Sequence, residues 1–425
     1  MVSWIFLLVC LIGAGLVWNV YRPRGGEYTA APSFFVGWLT GELAIHHILW
    51  QGVATVFFVW AGALEAWPGR IGLAIAGASW LALGLHTVRG LEVRGVVARA
   101  LADALGPDHA QTIRPGLLAT VPDEIDWLPI LKPFPISHAG VQRQTDVVYG
   151  RAAAQDLKLD VYRPASAQAG CPVFVYVHGG GWVIGTKDNQ GLPLCWHLAS
   201  RGWVCVNVNY RLSPGATFPE HLIDLKRALA WVREHGEGLG ADTSFVAVSG
   251  GSAGGHLASL VALTQNNADY QPGFEAADTS IQAAVPIYGV YDFLEAGKTW
   301  GHDGLAPFLN RHVMKSTPEE DPEAFRKASP LYCITPDAPP FFVVHGEADT
   351  LVPAAEAREF VGALRERSKE PAAYTEIPGA QHAFEIFPSL RSQITRSGIE
   401  IFLSWAWSRH LAAREEKAAA EPAAS

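Results

Sequence analysis

The sequence predicts an α/β protein, a doubly wound and mostly parallel sheet preceded by an all-α transmembrane region. Three observations predict it. The first 90 residues hold long apolar stretches almost free of charge. From about Gln142 onward, short β-rich runs alternate with amphipathic helical stretches, as in a parallel sheet covered on both faces. Two glycine-rich motifs follow directly on two of those runs: His178-Gly179-Gly180-Gly181-Trp182 after Val173–Val177, and Gly250-Gly251-Ser252-Ala253-Gly254 after Phe245–Val248.

Val2–Tyr21 is apolar apart from Ser3 and Asn19 and is long enough to span a bilayer as a helix. A signal peptide is the competing reading, but no Lys or Arg precedes the stretch and no clear small-x-small cleavage site follows it. The stretch from Phe34 to Trp67 is too long for one span and carries Glu42, His46 and His47 in its first half. A membrane helix is expected at 43–64, with Phe34–Thr40 along the interface. A third span is expected at 71–88, joined to the second through Pro68-Gly69-Arg70. Arginines 22, 24, 89, 94 and 99 flank one side and Arg70 alone the other. Three spans with the N-terminus outside and the catalytic part in the cytoplasm satisfy that distribution. Glu42-x-x-x-His46-His47 has the spacing of a metal-binding face, but one helix offers too few ligands and the other spans supply none. Polar anchoring at the membrane surface is the expectation there, and no metal or cofactor is expected anywhere.

Residues 91–141 are broken by Pro and Gly and are expected to form a linker that also offers residues for a cap over the site. Removal of residues 1 to about 115 is accordingly expected to leave a soluble domain with its site intact. The catalytic domain is expected at 142–411. Its strands are read at 145–149 and 157–162, an antiparallel pair, then at 172–177, 204–209, 245–248, 283–287, 341–344 and 373–377. Helices are read at 192–200, 221–235, 253–265, 354–368 and 390–410. The Ala/Glu/Lys-rich end, 412–425, is expected to be a disordered tail. The net charge of −9, with no basic stripe, argues against a nucleic-acid partner. The five cysteines, at 10, 171, 195, 205 and 333, are odd in number and lack a C-x-x-C, so reduced thiols are expected.

The glycine motifs carry the chemistry. G-x-S-x-G after a strand is a nucleophile elbow, a turn too tight for side chains two before and two after the serine. His-Gly-Gly-Gly after a strand has the form of a loop whose backbone N–H groups face an oxyanion. A serine nucleophile needs a base, and the base an orienting acid, in the chain order serine, acid, histidine. Asp349, in His345-Gly346-Glu347-Ala348-Asp349, and His382, in Gly379-Ala380-Gln381-His382, fit that order at strand ends. Glu347 is the rival acid. His178 and His345 are read as loop-holding histidines. Trp182, Tyr288 and Phe384 are candidate pocket walls, with plain core packing the favoured reading, and Arg211, which could bind a substrate carboxylate, is read as the partner of Asp224 in a structural ion pair.

These segments resemble the bacterial relatives of hormone-sensitive lipase, the His-Gly-Gly-Gly carboxylesterases of the α/β-hydrolase superfamily. The likeness runs over Tyr149–Trp407. It includes Leu159-Asp160-Val161-Tyr162-Arg163-Pro164, Asn209-Tyr210-Arg211-Leu212-Ser213-Pro214 and Ser329-Pro330-Leu331. It implies cofactor-free hydrolysis of a small-molecule ester, with Ser252, Asp349 and His382 as the triad. It also implies an oxyanion hole from the N–H groups of Gly180, Gly181 and Ala253, within a motif opened by His178 and Gly179. Many relatives have Asp or Glu where this chain has Gly251. Many also carry an N-terminal helical cap, so here the mouth falls to residues 100–140 or to Trp300–Lys327.

The expected enzyme is thus a membrane-anchored serine carboxylesterase or lipase acting on short to medium acyl esters, with amphiphilic, lipid-derived esters able to arrive laterally from the bilayer. A serine amidase or arylformamidase on the same fold is the alternative. An inactive scaffold would have lost a triad or oxyanion residue, and none is lost. A transporter would show internal repeats or paired intramembrane charges, which the spans lack. The oligomeric state is left open.

Overall fold

The computed structural model describes every residue except 135, 153, 154, 167, 301–303 and 421–425. The N-terminal part is built from α1 (Val2–Tyr21), α2 (Ala30–Glu42), α3 (Ala44–Trp60) and α4 (Trp67–Arg89). Helix α1 and the run Trp67–Leu105 are each long and apolar enough to cross a membrane. Helices α2 and α3 reach that length only together, and the pair bends by 83°. Helix α1 packs along α4, where Gly72 lets the Leu7 backbone approach and Tyr21 donates its hydroxyl hydrogen to Ala82 O at 2.6 Å.

One eight-stranded sheet forms the catalytic half, in the order β1-β2-β4-β3-β5-β6-β7-β8. The strands are β1 (Val141–Ala152), β2 (Gln155–Pro164), β3 (Cys171–Val177), β4 (Val204–Val208), β5 (Ala241–Gly251), β6 (Ala283–Ile287), β7 (Phe341–Gly346) and β8 (Ala372–Ile377). Strands β1, β2 and β4 pair antiparallel, and β4 through β8 run parallel. Strands β3, β4, β6 and β7 are buried on both faces, which is why they read as unbroken apolar runs rather than alternating ones. The helices Leu192–Ser200 and Leu390–Ala420 cover one face, and Glu220–His235, Ala253–Leu263 and Ala354–Arg367 the other.

Two expectations change. The stretch 91–141 is not merely a linker. It opens with α5 (Glu92–Leu105), whose Val93, Val97 and Leu101 are fully buried against β8 and the helix Leu390–Ala420. Val97 sits so close to Gly398 that a Cβ at Gly398 would overlap it. The chain then runs back along that helix, Arg114 N bonding Ser408 Oγ and Asp126 exchanging two hydrogen bonds with Gln393. An amphipathic stripe on a short helix found a sheet face to cover, an outcome its Pro- and Gly-rich flank obscured. The tail expectation also changes: the helix continues to Ala420, and 421–425 lie outside the described residues. Ala, Glu, Lys and Arg are strong helix formers, and Arg414 and Glu415 pair with Asp242 and Arg114.

The two halves are tied by a buried ion pair. Arg391 Nη1 lies 2.6 Å from Glu42 Oε1 at the end of α2, with both side chains almost fully buried. Ser389 Oγ donates to the other Glu42 oxygen, and Arg391 Nη2 reaches His86 Nε2 of α4 at 2.9 Å.

Because α5 belongs to the core, a fragment beginning at Leu91 should be clearly more stable than one beginning at Gly116. The shorter fragment loses four buried apolar side chains, those of Val93, Val97, Leu101 and Ile113, each contributing about 1.5–3 kcal/mol. Thermal unfolding of the two fragments checks this, and equal midpoints would remove α5 from the core.

Candidate active site

The serine stands where backbone crowding leaves room for no other kind of turn. Ser252 has φ 58° and ψ −123°, a positive-φ conformation unusual for a residue with a side chain. A Cβ on Gly250 would lie 2.5 Å from both Val177 O and Gly254 O, and one on Gly254 would overlap Val177 O. Glycine at these positions is what allows β5, the turn and the helix Ala253–Leu263 to close on the end of β3. Ser252 N donates to Ile287 O of β6 at 3.0 Å, which fixes the turn from the other side. Although Ser252 precedes the helix, its hydroxyl makes no capping bond.

The His-Gly-Gly-Gly loop lies against this turn. A Cβ on Gly179 would come within 3.0 Å of Ser252 Cβ. Gly179 N donates to Gln190 Oε1 at 2.7 Å, which anchors the loop. Gly180 and Gly181 have φ of 116° and 59°. Among the described residues, the N–H groups of Gly180, Gly181 and Ala253 make none of the turn, loop or cap hydrogen bonds. Three free donors beside a serine are the arrangement an oxyanion needs. His178 stacks on Tyr210 with ring centroids 4.5 Å apart. Its Nδ1 meets Gly179 O, and burial pushes its pKa down to about 4. It is a neutral, loop-holding residue, as expected.

Acid and base follow β7 and β8. His382 Nδ1 lies 2.6 Å from Asp349 Oδ2. Asp349 also receives hydrogen bonds from the N–H groups of Leu351 and Val352, and His345 Nε2 stands 3.4 Å away. Burial works against charge on Asp349, but His382 and His345 hold its carboxyl well below the usual range. Glu347, the rival acid, points elsewhere: it pairs with Arg89 at 3.1 Å and accepts from Gly379 N. Arg211 forks onto both Asp224 oxygens at 2.8 Å, as expected of a structural pair. Trp182 is core, its Nε1 on His256. Glu42 is engaged by Arg391, and no metal-binding cluster exists among the described residues.

Gln381 and Glu385 are not singled out by the sequence, whereas Tyr288 is a candidate pocket wall. Gln381 Oε1 accepts from Thr350 N and from His382 N, so it ties the acid loop to the base loop. Tyr288 lies with its ring centroid 4.4 Å from that of His382. Its hydroxyl fills the space beside Gly251, where a Cβ would lie 2.6 Å from Tyr288 Oη. That contact explains why an acidic residue is missing before the serine. A carboxyl lies nearby on Glu385, which accepts from Tyr176 Oη at 3.2 Å. Burial pushes it up, against the two tyrosine hydroxyls. The mouth differs from expectation as well. Of the two candidate stretches, Trp300–Lys327 contributes Phe308, beside Gly181. The other, 100–140, follows the helix Leu390–Ala420 as far as Asp126 and then brings Phe134 onto Phe387, while α2, which was not a candidate, packs on the His382 ring.

The BD-FAE family model matches residues 159–364. The protein named probable carboxylic ester hydrolase LipM, from Mycobacterium tuberculosis, is 39% identical over 428 residues, covering 96% of this chain and 95% of its own length. Esterase LipQ of the same organism is 40% identical over 324 residues, covering 75% and 76%. Among solved structures, the native Est2 esterase of Thermogutta terrifontis superposes with a TM-score of 0.50 at 25% identity, covering 68% of this chain and 96% of that one.

Behind the acid loop, Glu356 sits fully buried and accepts from the N–H groups of Tyr291 and Asp292, its second oxygen unpartnered. Burial pushes its pKa up to about 7, against those two donors. Below the ordinary value of 4.5 both folded and unfolded chains hold this proton, and its contribution to stability is complete. As pH rises from there to about 7 the unfolded chain alone releases it, and roughly 3 kcal/mol is lost. Glu356→Gln should flatten that part of the stability profile, measured by thermal unfolding across the window.

Proposed function

We propose, because this chain belongs to the hormone-sensitive-lipase-like carboxylic ester hydrolases, that it is a membrane-anchored serine carboxylesterase with Ser252, His382 and Asp349 as its triad. The carrying observation is the 2.6 Å pairing of His382 with Asp349 on two strand-end loops next to a strained serine. Ser252 Oγ attacks the ester carbonyl while His382 Nε2 takes its proton. Asp349 holds Nδ1–H, which selects the tautomer and stabilises the imidazolium. The N–H groups of Gly180, Gly181 and Ala253 receive the developing oxyanion. His382 then gives its proton to the leaving alkoxide, and water repeats the sequence on the acyl-enzyme.

Residues 1–90 form the membrane region, with α1, α3 and α4 as three spans, and the catalytic unit takes in α5 together with 142–411. The N-terminus lies outside and the catalytic unit in the cytoplasm. What supports this orientation is the arginine distribution, joined by the pairing of Arg89 with Glu347 on the acid loop.

Ser252→Ala should abolish both ester turnover and fluorophosphonate labelling in a folded protein. Asp349→Asn should lower kcat by roughly 10³–10⁴. Glu347→Gln should cost little, and a crippled Glu347→Gln beside a mild Asp349→Asn would exchange their roles.

Orientation is read from single cysteines at Glu27 and Ala66 in a cysteine-free chain; Glu27 and Ala66 are both exposed between helices. A membrane-impermeant maleimide added to intact cells should reach Ala66→Cys and spare Glu27→Cys. The opposite pattern would put the catalytic unit outside.

A further inference from the structure

Helix α2 does more than connect two spans. Its Phe34, almost fully buried, meets the His382 ring edge to face at 5.8 Å. Trp38 stacks on Phe34 and on Phe387 and donates Nε1–H to Ala383 O at 2.9 Å. Thr350, next to Asp349, donates its hydroxyl hydrogen to Ala30 O at 3.0 Å. Gly37 lies against Gln381, whose Nε2 a Cβ there would meet at 3.5 Å. One helix therefore touches the acid loop, the base loop and the ring of His382. At its other side the same helix belongs to the membrane part. Ser33 and Asn19 of α1 exchange two hydrogen bonds, and Glu42 holds Arg391.

The surroundings of the site are apolar and outward-facing. No charged residue lies between Thr29 and Glu42. Phe35 and Leu39 of α2 are exposed, as are Trp127, Leu128, Leu131 and Phe134 on the segment beside it. The two groups are contiguous. Phe134 meets the edge of Phe387, on which Trp38 stacks, and Leu131 O meets His46 of α3. On the oxyanion side, Ile184 is 67% exposed in the loop that follows Gly180 and Gly181. An uncharged helix with exposed aromatic and aliphatic side chains, bent 83° from the span that follows it, suits the boundary between headgroups and acyl chains. A soluble enzyme exposing these groups would be prone to associate through them.

We propose that α2 is the bilayer-side wall of the active site and that the substrate is an amphiphilic ester taken from the membrane rather than from water. This rests on the esterase reading above and adds where the ester comes from and which residues select it. Phe34 and Trp38 act as positioning residues: they hold the His382 loop and present an apolar surface to the lipophilic part of the ester.

The test uses the full chain in phosphatidylcholine vesicles and two butyrate esters with the same acyl group. One has a water-soluble alcohol, the other a long alkyl alcohol dissolved in the vesicles. The expected result is a preference in kcat/KM for the vesicle-dissolved ester. Phe34→Ala should reduce that preference roughly tenfold while Ser252 still labels fully with a fluorophosphonate. Trp38→Phe, which keeps the ring and removes the bond to Ala383 O, should reduce it too. Where Phe34→Ala does not label, Phe34→Leu replaces it. No preference in the wild type, or an unchanged preference in the labelled variants, overturns the proposal. Turnover that persists in Ser252→Ala would instead fail the esterase mechanism, whatever the preference.

Discussion

The close approach of β5 and its following helix to the end of β3 governs the catalytic half. Val177 O sits where side chains on Gly250 and Gly254 would be. That contact forces the positive φ at Ser252 and brings the loop after β3 against the serine. Everything that serves the serine then follows from strand order. Strands β3 and β5 are neighbours, so the His-Gly-Gly-Gly loop after β3 lies against Ser252. Strands β6, β7 and β8 succeed one another on the other side, so Tyr288, the Asp349 loop and the His382 loop emerge at the same sheet end in sequence.

A second constraint joins the halves. Glu42 and Arg391 are buried together, and desolvating two charges is costly unless geometry and further hydrogen bonds offset it. Ser389 and His86 supply those bonds. Such a pair contributes less to net stability than to register: removing one partner strands a buried charge, so α2 and α4 have one favourable position over the base loop. The N-terminal helices and the catalytic half thus share their packing, through α2 over His382 and through α5 within the core. An anchor on a flexible tether would leave the histidine loop open to water; here the loop lies under Phe34.

Much of this was legible in the chain. All eight strands and the five large helices of the catalytic half lie where period and composition put them, because parallel strands buried on both faces and amphipathic helices leave unambiguous patterns. The three apolar stretches became helices with nearly the expected ends. The glycine motifs also carried their geometry in sequence, since only glycine fits between the Val177, Gly179 and Gly254 backbones. The stretch 412–420, expected within a disordered tail, is helical, because helix propensity and disorder share the same composition of Ala, Glu and Lys.

Local pattern determined the elements, the elbow and the choice among few candidates for acid and base, because these depend on residues within a turn or two of one another. Tertiary structure alone distinguishes Asp349 from Glu347, since the two carboxylates are two residues apart and differ in what they face: His382 in one case, Arg89 in the other. It alone put Tyr288 beside Gly251 and Glu385 beside Tyr288. And it alone set α2 over the histidine. Phe34 and His382 are brought together by sheet topology and a buried ion pair, and hydrophobic periodicity reports that a face is buried without saying against what.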